Sequence, residues 1–303
     1  MRAADPRFFA VNRAFSRPCP RTDLACESGR SRAFSEERHV SVGAGLPVTV
    51  CRSIEEDGGR FTTISCGPVT LRGEGELREI SRLVAEELSH MASQMLGRPL
   101  DASCRVLAVG LGNSDMTPDA IGPGTLRRMT VTRHLREYDP ALYKGLGCCE
   151  LAALSPGVLG QTGVESGELV RAAAELTRPH LVVAVDALAA RSCERLSSTI
   201  QLSSRGISPG AGIGNHRVGL CEETVGCPVL GIGVPTVVDS STLVWDALEQ
   251  AGLTEEEMPP ALVQVLETGR SFIVSPKDCD SVVEATCRVL AGAMDLAFGV
   301  GET

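Results

Sequence analysis

The chain has 303 residues, of which 43% are hydrophobic and 22% charged, the profile of an ordinary globular protein, and no apolar run reaches the length of a membrane span. Its formal net charge of −9 disfavours phosphate backbones and anionic surfaces, so direct nucleic-acid or membrane binding is not expected, whereas a basic protein substrate remains open. The 12 cysteines are scattered without a C-x-x-C pair, which points to a reducing, cytoplasmic setting with buried thiols rather than to disulfides or zinc.

Residues 1 to about 30 are rich in Arg, Pro and Ser, and Arg17-Pro18-Cys19-Pro20 cannot be helical, so they read as an extended arm or a disordered tail. Leu46–Cys51 and Arg60–Cys66 carry β-branched residues on either side of Glu55-Glu56-Asp57-Gly58-Gly59, a hairpin signal. Leu77, Ile80, Leu83, Val84, Leu88, Met91 and Met95 recur at helical spacing and predict a helix over Glu76–Leu96. Three short apolar runs follow: Arg105–Leu111, Leu181–Val185 and Val229–Val234. Runs apolar on both faces suit strands covered by helices on both sides, which are usually parallel. Helical patterns lie between them at about Asp119–Tyr138, Glu165–Thr177 and Ser240–Gln250. Phe272 and Ile273 read as a last strand, and Ser275-Pro276 as the start of a C-terminal helix. The alternation predicts an α/β fold with a doubly wound, mostly parallel sheet flanked by helices and preceded by an N-terminal hairpin.

Ligands of such sheets bind beyond the carboxyl ends of the strands, so the polar residues that follow each run are the candidates. After the first run, Gly110 and Gly112 permit close backbone approach, and Pro118 opens a helix with Asp119 in its first turn. Asp115 adds a third acid nearby, which by like-charge repulsion would raise the pKa of an adjacent carboxyl pair. Asp186 closes the second run, where a carboxylate is costly unless paired or functional. Arg191 is either its charge partner or a surface cation, and Asp239 after the third run is either a third site acid or the first acid of the next helix. Between the second and third runs, Gly210, Gly212, Gly214 and Asn215 form a glycine-rich loop able to hug a substrate backbone, or simply a mobile turn. Dinucleotide, Walker and H-E-x-x-H patterns are all missing. Two strand-end aspartates that share a proton can activate water and protonate a leaving amine. The residues alone therefore point to a carboxylate hydrolase, with a metal-dependent peptidase using Asp119, Asp186 and Asp239, or a non-enzymatic binding protein, as alternatives.

Several segments, in order, resemble the germination protease family: Val109–Asn113, Thr117–Pro123, Thr132–Leu135, Pro156–Glu165, Asp186–Ser192, Ser208–Asn215, Gly233–Asp239 and Val274–Asp278. The resemblance implies a fold similar to hydrogenase maturation proteases, assembled as a homotetramer, with Asp119 and Asp186 as the catalytic pair and no cofactor or metal. It also gives the arm a meaning, because Asp23-Leu24-Ala25-Cys26-Glu27 is similar to the family's self-processing site, cut after the Asp. On that basis residues 1–23 would be a propeptide and 24–303 a single peptidase domain. The implied substrates are small acid-soluble spore proteins, cut at an acidic–apolar–Ala–x–Glu motif in the spore core during germination. The family's long insertion after the helix near Ser240 is here reduced to about Gly252–Gly269, read as a long loop.

Overall fold

The computed structural model describes residues 22–27, 32–43, 45–208, 219–253, 257–268 and 272–300. The glycine-rich candidates Gly210, Gly212, Gly214 and Asn215, and the arm before Thr22, lie outside the described residues.

Strands β1 (Arg32–Val42), β2 (Leu46–Glu55) and β3 (Arg60–Ser65) form an antiparallel meander. The expected hairpin is β2–β3, and Glu55 N donates to Gly59 O across its turn at 2.8 Å. Strand β1 is not anticipated by the sequence, since its RAFSEERHVSV is polar and almost wholly exposed, and its order comes from the ladder with β2. Helix α1 (Glu74–Leu96) follows, where the Glu76 carboxylate turns back to the Gly73 N–H at 3.0 Å, one half of a capping box. Gly97, at φ +65°, ends it in the left-handed conformation.

Strand β4 (Arg105–Gly110) opens the parallel half of the sheet. The single helix expected over Asp119–Tyr138 is instead broken: a 3₁₀ turn at Thr117–Asp119, then α2 (Ile121–Leu126), α3 (Arg133–Tyr138) and α4 (Pro140–Leu146). Thr132 causes one break, because its side chain is bolted to the sheet. Its hydroxyl donates to Cys149 O and accepts from Leu151 N, at 2.8 and 2.9 Å. Then come β5 (Glu150–Leu154), α5 (Leu159–Thr162), α6 (Ser166–Thr177), β6 (Leu181–Ala190), β7 (Thr199–Ser203), α7 (Glu222–Val225), β8 (Val229–Asp239) and α8 (Ser240–Gln250). Helix α9 (Pro260–Thr268) occupies the stretch expected to be a loop. Strand β9 (Ile273–Val274) precedes α10 (Cys279–Ala297), whose N-cap position is Asp278 rather than Ser275.

Among the described residues the strands form one sheet, ordered β1-β2-β3-β7-β8-β6-β4-β5, with β9 on β8. The sheet is mixed rather than mostly parallel. Strands β5, β4, β6 and β8 run parallel, and β8–β7–β3–β2–β1 pair antiparallel. The connection from β6 to β7, residues 191–198, explains this. It is too short for a parallel crossover, which needs a dozen or more residues. Helices α1, α2 and α10 cover one face, where Val183, Val185, Ile232 and Ile200 meet Leu88, Ile121 and Leu290. The other face of the parallel half is covered by α6 and the segment around Leu220–Val225. No described helix is long and apolar enough to cross a membrane.

Candidate active site

Asp119 lies in the turn after the carboxyl end of β4, whereas Asp186, expected to close the second apolar run, is instead in mid-strand, because β6 continues to Ala190 past the end of β4 on its ladder with β8. The last rung between β4 and β6 is Leu111 N donating to Val185 O at 2.9 Å, one residue before Asp186. The Asp119 turn reaches this rung because two glycines clear its way. A Cβ on Gly112, at φ +107°, would lie 2.0 Å from Asp119 O, and one on Gly122 would lie 2.5 Å from Val185 O. Asp119 Oδ2 accepts from Asn113 N at 2.7 Å, which fixes the carboxylate over the β4 end. Asp186 is 3% exposed, and its Oδ1 accepts from Ala187 N at 2.9 Å.

The turn is held from a third strand. The β6–β8 register slips between Leu188 and Ala189, so that Thr236 is an extra residue on β8. Its buried hydroxyl donates to Pro118 O at 2.6 Å, on the carbonyl immediately before Asp119. Bulges of this kind re-aim side chains beside sites.

The other sequence candidates take different places. Asp239 Oδ1 accepts from Ser241 N and Thr242 N at 3.0 and 3.2 Å, capping α8. The Arg191 guanidinium pairs with Glu249 at the surface. Asp115 is exposed and accepts from Gln161 Nε2 at 3.0 Å. Among the described residues no three His, Cys, Asp or Glu side chains are grouped as a metal site, Asp119, Asp186 and Asp239 included. Burial pushes the Cys149 thiol up to about 12, helped by Cys104 and Cys148, and the Cys66 thiol up to about 11, so neither is a thiolate near neutrality.

The segment Thr22–Glu27 lies on the sheet beside β6. Asp23 N donates to Ala189 O, and Asp23 Oδ2 accepts from Ala189 N, both at 2.9 Å. Leu24 is fully buried against Leu188, Ala190 and Val238. By strand alternation Leu188 and Ala190 share the face of Asp186. Glu27 is received by main-chain donors, Arg191 N at 2.8 Å and Ser192 N at 3.1 Å, with the Arg195 guanidinium at 3.8 Å. Gln201, a residue the sequence reading did not single out, bonds the segment on both sides of Leu24. A cleft of about 250 Å³ remains alongside, lined by Asp23, Ala25, Phe61, Gln201, Arg205 and Gly231 among others.

Comparison with known proteins agrees with the resemblance seen in the sequence. The model of the germination protease family matches residues 48–252. The germination protease of Clostridium acetobutylicum is 36% identical over 81% of this chain and 80% of its own length. That of Caldanaerobacter subterraneus is 34% identical over 93% of this chain and 95% of its own. That of Bacillus pumilus is also 34% identical, over 92% and 93%.

Proposed function

The chain belongs to the germination protease family, and from that premise we propose that it is a self-processing endopeptidase zymogen that cuts its own Asp23–Leu24 bond. The observation that carries this reading is the seating of residues 22–27. An acidic residue, a buried leucine, an alanine and a glutamate each meet a dedicated partner, side by side with the strand that carries Asp186. A merely tethered tail needs none of these contacts, and holding one costs the chain entropy that the contacts must offset.

In the proposed reaction Asp119 and Asp186 share one proton, because two nearby carboxylates do not both ionise easily. The ionised member takes a proton from water as the water oxygen bonds to the Asp23 carbonyl carbon. The protonated member gives its proton to the Leu24 nitrogen as the C–N bond breaks. The products are a carboxylate on Asp23 and an amine on Leu24, releasing residues 1–23 as a propeptide. Substrates in trans are small acid-soluble spore proteins carrying the same acidic–apolar–Ala–x–Glu order, cut in the spore core by a homotetrameric enzyme.

Intact mass of the full-length protein, followed at mildly acid pH, tests the reading. Residues 1–23 should be lost from the wild type, and Asp186→Asn or Asp119→Asn should slow that loss by about 10³-fold with an unchanged melting temperature. Loss at an equal rate in either variant removes the aspartate pair from the mechanism, and cleavage at any other bond removes the site.

A further inference from the structure

Gln201 sits in the middle of β7, buried, on the sheet face that carries Asp186. Two register pairs establish the row: Gln201 is opposite Gly233 on β8, and Gly233 is opposite Asp186 on β6. In-register residues point to the same face, and two strand spacings separate the outer pair by about 10 Å between Cα atoms. Gly233 has no side chain, and that of Leu188 lies over it, forming the floor on which Leu24 rests. Gln201 and Asp186 therefore stand in one row on the sheet face over which the segment lies.

A buried side-chain amide needs partners for both ends. Here the partners belong to the segment itself. Gln201 Oε1 accepts from Ala25 N at 2.6 Å, and Gln201 Nε2 donates to Asp23 O at 3.3 Å. The first bond fixes which end of the amide faces which way, since the Ala25 N–H must meet an oxygen. The second then places an N–H donor on the carbonyl of the Asp23–Leu24 bond.

We propose that Gln201 is a catalytic residue of the cleavage: its Nε2 donor stabilises the oxyanion that forms on the Asp23 carbonyl, while its Oε1 acceptor holds the leaving side of the peptide in place. The inference rests on the reading that Asp23–Leu24 is the bond cut. As water adds to the carbonyl carbon, the π electrons move onto oxygen, and a donor already aimed there tightens onto the growing charge. On expulsion of the Leu24 nitrogen the charge returns to the carbonyl, and Gln201 ends unchanged. The same grip acts on a substrate in trans, through the carbonyl of its acidic residue and the N–H of its alanine.

The test compares self-processing of wild type, Gln201→Met and Gln201→Glu by intact mass from pH 7.5 to 5 (on the order of half-unit steps), with melting temperatures alongside. Gln201→Met, which has no donor, should process about 10²-fold more slowly at every pH. Gln201→Glu keeps the acceptor but, when ionised, has no donor. Its rate relative to wild type should be low near neutral pH and rise toward acid pH as the introduced carboxyl gains a proton to donate. Gln201→Met within a few-fold of wild type, or a flat Gln201→Glu ratio across pH, overturns the proposal while leaving the cleavage site intact. If Gln201→Met fails to fold, the pH dependence of the Gln201→Glu ratio decides alone. Wild type cut elsewhere than after Asp23 overturns both this inference and the reading beneath it, so the two failures are told apart by the wild-type arm.

Discussion

Strands β5, β4, β6 and β8 are parallel, the last three buried; Asp119 follows β4, Asp186 lies within β6 and Asp239 ends β8. Strands β7, β3, β2 and β1 are antiparallel and grow more exposed outward, until β1 is almost bare. The first half supplies acids where β4 stops, Asp119 in the turn after it and Asp186 on the stretch of β6 that continues past it. The second half supplies Gln201, an amide in mid-strand that reads main chain rather than side chain. The Thr22–Glu27 segment lies where the halves meet, near β7 and β8. On the proposed mechanism, a peptidase built this way would draw its chemistry from one kind of sheet and its grip from the other.

If grip and chemistry are separable, damage to the seated segment should slow processing without loosening the fold. Leu24→Ala removes a fully buried side chain, a change worth about 2–5 kcal/mol where the surroundings do not collapse. Self-processing should fall about 100-fold, read as the first-order loss of full-length mass. Arg195→Met, which leaves the two main-chain donors to Glu27 in place, should cost only about threefold, since that ion pair is part-exposed. Leu24→Ala processing at the wild-type rate would break the comparison, because the segment would then be cut without being held.

The two halves also differ in how far the sequence discloses them. The parallel strands announce themselves as runs apolar on both faces, and the acids after the runs are visible by position, although Asp186 proves to be in mid-strand because Ala187–Ala190 continue β6 on its ladder with β8. Strand β7, Thr199–Ser203, is too short to signal, and the value of Gln201 comes from a pairing with Asp23 and Ala25 far away in the chain. Strand β1 carries charge at most positions, and only its partner β2 makes it a strand. The break in the helix expected after Asp119 depends on Thr132 finding β5, again a tertiary event. Arg191 illustrates the reverse case: its guanidinium faces Glu249, while its main-chain N–H holds Glu27, a role that no side-chain reading contains.

A smaller effect should come from Thr236, which ties β8 to the Asp119 turn. Thr236→Val deletes the hydroxyl and leaves the Pro118 carbonyl without that donor, at a cost of about 1–3 kcal/mol. The melting temperature should fall by a few degrees, roughly 2 °C per kcal/mol for a chain of this size. Processing should slow by about fivefold at a melting temperature that still leaves the protein folded, because the turn that carries Asp119 is less well held. A lower melting temperature with an unchanged rate would make Thr236 a structural tie only, and would place the positioning of Asp119 wholly within the parallel half's own glycines.

The smallest effect belongs to the opposite, amino end of the parallel strands, which should be scaffold alone. There His180 Nδ1 accepts from Arg105 N and from Arg98 Nη2, both at 3.1 Å, so the imidazole is neutral with its proton on Nε2. Burial holds its pKa below the ordinary histidine value, assisted by the Arg105 and Arg98 charges and opposed by Glu150 and Asp101. Below the ordinary value, about 6.5, the unfolded chain binds a proton that the folded chain resists. This contribution to stability is therefore fully present above that value and is lost as pH falls toward the lowered folded one. His180→Gln keeps an acceptor but cannot titrate. Between pH 7 and 5 (about two units) the wild type should lose more melting temperature than His180→Gln, while processing rates of the two stay equal where both are folded. Equal melting slopes would mean the imidazole is not held neutral. A changed rate would mean that the amino end of the parallel strands reaches the site after all, and that the division between scaffold and chemistry is drawn in the wrong place.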